Sequence, residues 1–65
     1  MSDIVRYGGE DLEMVLEKMM NLERMVEEAM IKTHKQVIIE TEIKYYIEES
    51  QWEGLVIISD AKESR

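Results

Sequence analysis

The side chains able to do chemistry in this chain are few and scattered. His34 is its single histidine. Catalysis by an imidazole needs a nucleophile or an acid held beside it, and no sequence pattern supplies either. His34 instead reads as a charge at the end of a helix, where the macrodipole favours cations. Met30 and His34 are four residues apart and share a helix face, a pairing that suits a soft cation. Two ligands do not complete a metal site. Glu40, Glu42 and Glu48 fall on one face of an extended segment, with Glu49 following. Paired carboxylates can hold calcium or relay protons, but alternating glutamates on a strand read more simply as a solvated face that blunts edge-to-edge pairing.

Trp52 is the only tryptophan, in a polar stretch beside Gly54. An aromatic in a connection stacks on a flat ligand, anchors a partner, or folds back over the core. Tyr45 and Tyr46 point to opposite faces of a strand, so at most one of them can share a site with it. Gly8-Gly9 ahead of a helix has the outline of an anion-binding turn. No third glycine follows, and Glu10 and Asp11 would repel phosphate. These residues yield no catalytic set, no cofactor site and no metal site, and the expectation is a protein that is not an enzyme.

Size and charge narrow the classes further. The chain has 65 residues, room for one domain. A domain this small buries only about 60% of its unfolded surface and is marginal alone. Small domains add disulfides, a metal or a partner subunit. With no cysteine and one histidine, the third route is the one open, and a homo-oligomer is expected. Fifteen acids against eight bases give a net charge of −7. That charge repels nucleic-acid backbones and attracts a basic protein partner. The N-terminus carries no signal-peptide pattern, and no apolar run approaches the roughly 20 residues of a membrane span. The expected location is cytoplasmic. A charged fraction of 35%, rich in Glu and poor in Asn, Gln and Cys, has the profile of a heat-adapted protein.

The elements that would position these residues follow from periodicity. Between Gly9 and Lys35, Leu12, Val15, Met19, Leu22, Val26, Ala29 and Thr33 recur at steps of three and four, the mark of one helix face. Gly9 or Asp11 can cap the start. Leu16, Met20, Met25 and Met30 widen the stripe beyond a coiled-coil seam, so this helix is expected on a sheet. After Lys35 the period becomes two. Val37, Ile39, Thr41, Ile43, Tyr45 and Ile47 alternate with Ile38, Glu40, Glu42, Lys44, Tyr46 and Glu48, a long amphipathic strand. Residues 49–54 read as a hairpin loop ending in Gly54. Leu55 to Ile58 then form a strand apolar on both faces, which calls for cover on both sides or a central place in a sheet.

The expected fold is therefore α+β: a two-layer β-α-β-β domain, one long helix on an antiparallel, hairpin-based sheet. The alternative is an all-α helical hairpin, since no Gly or Pro interrupts the chain between Gly9 and Gly54. Residues 1–65 form a single domain, with 1–8 a short strand or arm and 62–65 a flexible tail. The helix is placed on the Val37–Ile47 face. The opposite face is given Ile38, Tyr46 and either Leu55/Ile57 or Val56/Ile58, and Ile38, Tyr46, Trp52, Val56 and Ile58 are the candidate interface residues. The functional expectation is a small acidic, homo-oligomeric interaction module or adaptor that binds another macromolecule. A small-molecule binder with an inter-subunit site near Trp52 and Tyr46 is the alternative, and a nucleic-acid-associated regulator the second.

Overall fold

A computed structural model describes residues 2–61. Strand β1 is Ser2–Gly9, helix α1 is Leu12–Thr33, strand β2 is Val37–Tyr46 and strand β3 is Gln51–Asp60. The three strands form one antiparallel sheet in the order β1-β3-β2. The fold is α+β with the β-α-β-β order, and the helical-hairpin alternative is excluded. The assignment of 62–65 to a tail falls outside the described residues.

β3 takes the central place that its two apolar faces demand. Both neighbours run antiparallel to it, Val5 and Thr41 flanking Val56, and Ile4 and Glu40 flanking Ile57. β1 is a full strand and includes both of its glycines, with Gly8 opposite Glu53 and Gly9 opposite Trp52. The expected break at Gly8-Gly9 is thus absent, and neither glycine has a positive φ. The chain turns only at Glu10.

The helix is bounded by local chemistry. Asp11 is the N-cap, its Oδ1 accepting the Glu13 N–H at 3.0 Å. This satisfies one of the donors that the first turn leaves open. At the far end His34 takes a left-handed conformation, φ 59°, and its N–H donates to the Met30 carbonyl at 2.8 Å. The 22 residues between the caps span about 33 Å. A second left-handed residue, Ser50 at φ 54°, closes the β2–β3 hairpin and donates its N–H to the Ile47 carbonyl at 3.2 Å.

One expectation is corrected here. The hairpin turn covers residues 47–50 rather than 49–54, so Trp52 and Gly54 lie inside β3 instead of in a loop. The helix lies on the expected face of the sheet, the one that holds Ile39 and Thr41 of β2 with Val56 of β3, but to one side of β2. It packs on β3 and β1, and the buried core is Val15 and Met19 from the helix with Val56 from β3. Val5, Tyr7, Leu22, Ile39, Trp52 and Ile58 pack around that core, partly covered.

Gly54 explains the helix position. A β-carbon there would overlap Met19 Sδ and come within 2.9 Å of Val15 Cγ1. Bare backbone in the central strand lets the helix axis settle directly over β3, where every other residue type would hold it away. β2 stands to one side of the contact, and its Thr41, Ile43 and Tyr45 are exposed.

Candidate interaction surfaces

Side chains alternate along each strand, so the register assigns every residue to one of two faces. The helix-side face holds Val5, Tyr7, Ile39, Ile43, Tyr45, Trp52, Val56 and Ile58. The outer face has no layer over it among the described residues. Its rows, read across β1, β3 and β2, are Ser2–Ser59–Ile38, Ile4–Ile57–Glu40, Arg6–Leu55–Glu42 and Gly8–Glu53–Lys44, with Gln51–Tyr46 at the end. The middle of this face is apolar: Ile4 is 56% exposed, Ile38 is 48% exposed, and Leu55 and Ile57 between them are half-buried by their strand neighbours. Its rims are charged, with Arg6 on the β1 side and Glu40 and Glu42 on the β2 side.

A polar contact anchors the hairpin end of the same face. The Tyr46 hydroxyl donates to Glu53 Oε1 at 2.8 Å. That hydrogen bond, with partial burial and the Glu53 charge adding to it, raises the Tyr46 hydroxyl above its ordinary pKa of 10.0, because losing the proton would set two anions against each other.

On the helix side, the sheet is covered unevenly. Met14 and Lys18 border a shallow cleft with Gly8 and Gly9 of β1, which turns the Leu16 and Met20 flank of the helix toward β2. Met30 fits this orientation, its Sδ accepting the Val37 N–H of β2 at 3.4 Å. Leu16, Met20, Ile43 and Tyr45 are all exposed, and Leu16 and Met20 border a shallow cleft with Glu13, Glu17, Asn21 and Arg24 on the helix itself. Tyr45 packs on Trp52 across the strand pair, ring centroids 4.6 Å apart and planes tilted by 46°.

The sequence-derived candidates divide between these surfaces. Ile38 and Tyr46 lie on the outer face as expected from their parity. Val56 does not: it is 0% exposed under the helix, so it offers nothing to a second molecule. Ile58 and Trp52 are on the helix side, partly covered by the core. The outer face belongs to Leu55 and Ile57, the other of the two parities left open by the sequence. Trp52 and Tyr46 stand on opposite faces of the sheet, so only one of the two can face any one inter-subunit site. The sequence did not offer Ile4 and Arg6 as interface residues, and it left Leu55 and Ile57 undecided. The signal that finds them is the turn length, since a four-residue turn after Tyr46 fixes which residues of β3 share a face with β2.

The other candidates have local explanations. Met30 sulfur is engaged with the β2 backbone, and His34 serves as the helix C-cap through its backbone. Glu40 and Glu42 share the outer face, while Glu48 and Glu49 belong to the turn, so the expected row of three is broken. Asp11 itself occupies the helix N-terminus that the Gly8-Gly9 reading assigned to an anion. Among the described residues, no three acids or histidines lie close enough to hold a metal ion, and no helix is long and apolar enough to cross a membrane. No family model matches the chain, and no match is found among curated proteins or solved structures.

Proposed function

We propose that this chain is a non-enzymatic interaction module that self-associates and binds another macromolecule. The observation that carries the reading is the imbalance in where its apolar side chains lie. Among the described residues, Val15, Met19 and Val56 are the buried hydrophobic side chains, whereas eleven large ones are exposed, from Ile4 on β1 through Met20 and Ile31 on the helix to Ile47 in the turn. Burial of each large side chain contributes about 1.5–3 kcal/mol, so three enclosed residues are a small core for a free-standing domain.

The net charge of −7 favours a basic protein as the second partner and disfavours nucleic acid. A cytoplasmic location and a heat-adapted source belong to the same proposal and rest on composition alone. Sedimentation velocity over a wide concentration series tests the self-association. The expected result is a single species at a multiple of the chain mass. A monomer throughout the series rules the reading out.

A further inference from the structure

We infer that the outer face of the sheet is a two-fold contact between two copies of this chain, with the axis running along β3 and Arg6 of each copy set against Glu42 of the other. The inference rests on the self-association proposed above and specifies its face, its symmetry and its charge pairs.

That face has an apolar centre and charged rims. Its centre is the apolar group Ile4, Ile38, Leu55 and Ile57, and its two rims carry opposite charge: Arg6 on the β1 side, Glu40 and Glu42 on the β2 side. Arg6, Leu55 and Glu42 stand at one level along the strands, because Arg6 and Glu42 are both paired with Leu55. Two sheets that pack face to face keep their strands within about 30° of each other and lie about 10 Å apart. A two-fold contact is self-complementary, so each patch must fit its own image.

Two kinds of axis bring this face onto itself. An axis along β3 keeps every residue at its own level and exchanges the left and right edges. β1 of one copy then lies over β2 of the other. Leu55 and Ile57 meet their own images at the centre, and Arg6 faces Glu42 of the second copy twice over, once on each side. An axis across the strands keeps β2 over β2. With Leu55 and Ile57 held together at the centre, that arrangement sets Glu40 against Glu42 of the second copy and leaves both Arg6 side chains without an acid. Like charges placed opposite each other in an interface oppose it strongly, so the first axis is selected.

The remaining charges of the face are divided under this packing. Glu53 lies on the axis and is set against its own image, with Lys44 of each copy beside it at the same level, and Glu40 stands over Ile4 of the second copy. Lys44 lies opposite Gly8, which presents no side chain, so its ammonium has room to reach the Glu53 pair. The arrangement retains two Arg6–Glu42 pairs, which the other axis lacks.

The test is a charge exchange read by sedimentation on the full chain. R6E and E42R each set like charges against each other at both symmetric positions, and each is expected to weaken the dimer by about tenfold or more. The double variant R6E/E42R restores opposite charges within one sequence. An equimolar mixture of R6E and E42R restores them between two sequences, as a heterodimer. Both are expected to recover dimerisation. Arg6 and Glu42 are exposed, so unchanged circular dichroism shows that the fold is intact in each variant. A wild-type dimer that neither single variant weakens, or that the double variant and the mixture fail to recover, overturns this face and axis while leaving self-association standing. A wild-type monomer overturns both.

Discussion

Val15 rests on Gly54. The helix comes so close to the central strand that a β-carbon at position 54 would stand 2.9 Å from Val15 Cγ1 and overlap Met19 Sδ. The methionine can swing aside, since its side chain is unbranched and soft. The valine cannot, because branching at its β-carbon fixes its rotamer in a helix. G54A is therefore expected to destabilise the protein by about 1–3 kcal/mol, the usual cost of overfilling a packed core. Urea unfolding of wild type and variant measures it as a lower midpoint at unchanged slope. The double change G54A/V15A should cost less than the sum of the two singles, because V15A removes the obstructing methyl. Strict additivity would mean that the two residues do not meet.

The caps set a second expectation, with opposite signs at the two ends. D11A removes the acceptor of the Glu13 N–H and should lower stability by about 1 kcal/mol. H34G places glycine where the chain holds φ at 59° and should raise stability by a few tenths to about 1 kcal/mol, since glycine enters the left-handed region without a steric penalty. Thermal melts of the two variants beside the wild type decide the matter; a destabilised H34G would show that the imidazole contributes a contact larger than the strain it relieves.

A third concerns pH. The Glu53 carboxylate accepts from the Tyr46 hydroxyl and raises that hydroxyl above 10.0. Between the ordinary tyrosine value and the raised one, the folded chain keeps a proton that the unfolded chain has released. The contribution is complete below pH 10.0 and is lost as pH rises through the folded value. Tyrosinate absorbance should show one tyrosine titrating late in wild type and returning toward its ordinary value in E53Q. Three tyrosines that titrate alike in both proteins would show that the hydrogen bond does not persist in solution.

The aromatic pair gives a fourth. Tyr45 and Trp52 lie 4.6 Å apart across β2 and β3, and such pairs contribute about 0.5–1.5 kcal/mol beyond area burial. A double-mutant cycle on Y45A and W52A should return a coupling in that range. Y45A alone should shift Trp52 emission to longer wavelength as water reaches the indole, and an unshifted spectrum would place Tyr45 elsewhere.

Much of the architecture was legible in local pattern. The three-and-four spacing from Leu12 marked the helix, the alternation from Val37 marked β2, and the unbroken apolar run from Leu55 to Ile58 demanded the central position that β3 takes. What local pattern misled on was glycine. Gly8, Gly9 and Gly54 read as turns because conformational freedom is the property visible in a sequence. In the folded chain none of them has a positive φ, and at Gly54 the missing side chain makes room for a helix whose contacting residues lie more than thirty positions earlier. The left-handed turns fell to His34 and Ser50 instead. The parity of β3 stayed open for a related reason. Val56 and Leu55 are equally apolar, and only the four-residue turn before β3, which sets its parity against β2, decides which of them is covered.

The strand order carries a consequence for how the molecule is made. β1 and β2 are both edge strands, and each pairs only with β3, which follows both in the chain. Ser2 meets Ser59, so closing the sheet joins nearly opposite ends of the described chain, a slow kind of contact to form. A nascent chain that has not reached Gln51 has a helix, two strands with unsatisfied edges and nothing to bind them. Its apolar strands wait exposed during synthesis, where unpaired edges promote aggregation, and they are sheltered together when the strand between them arrives.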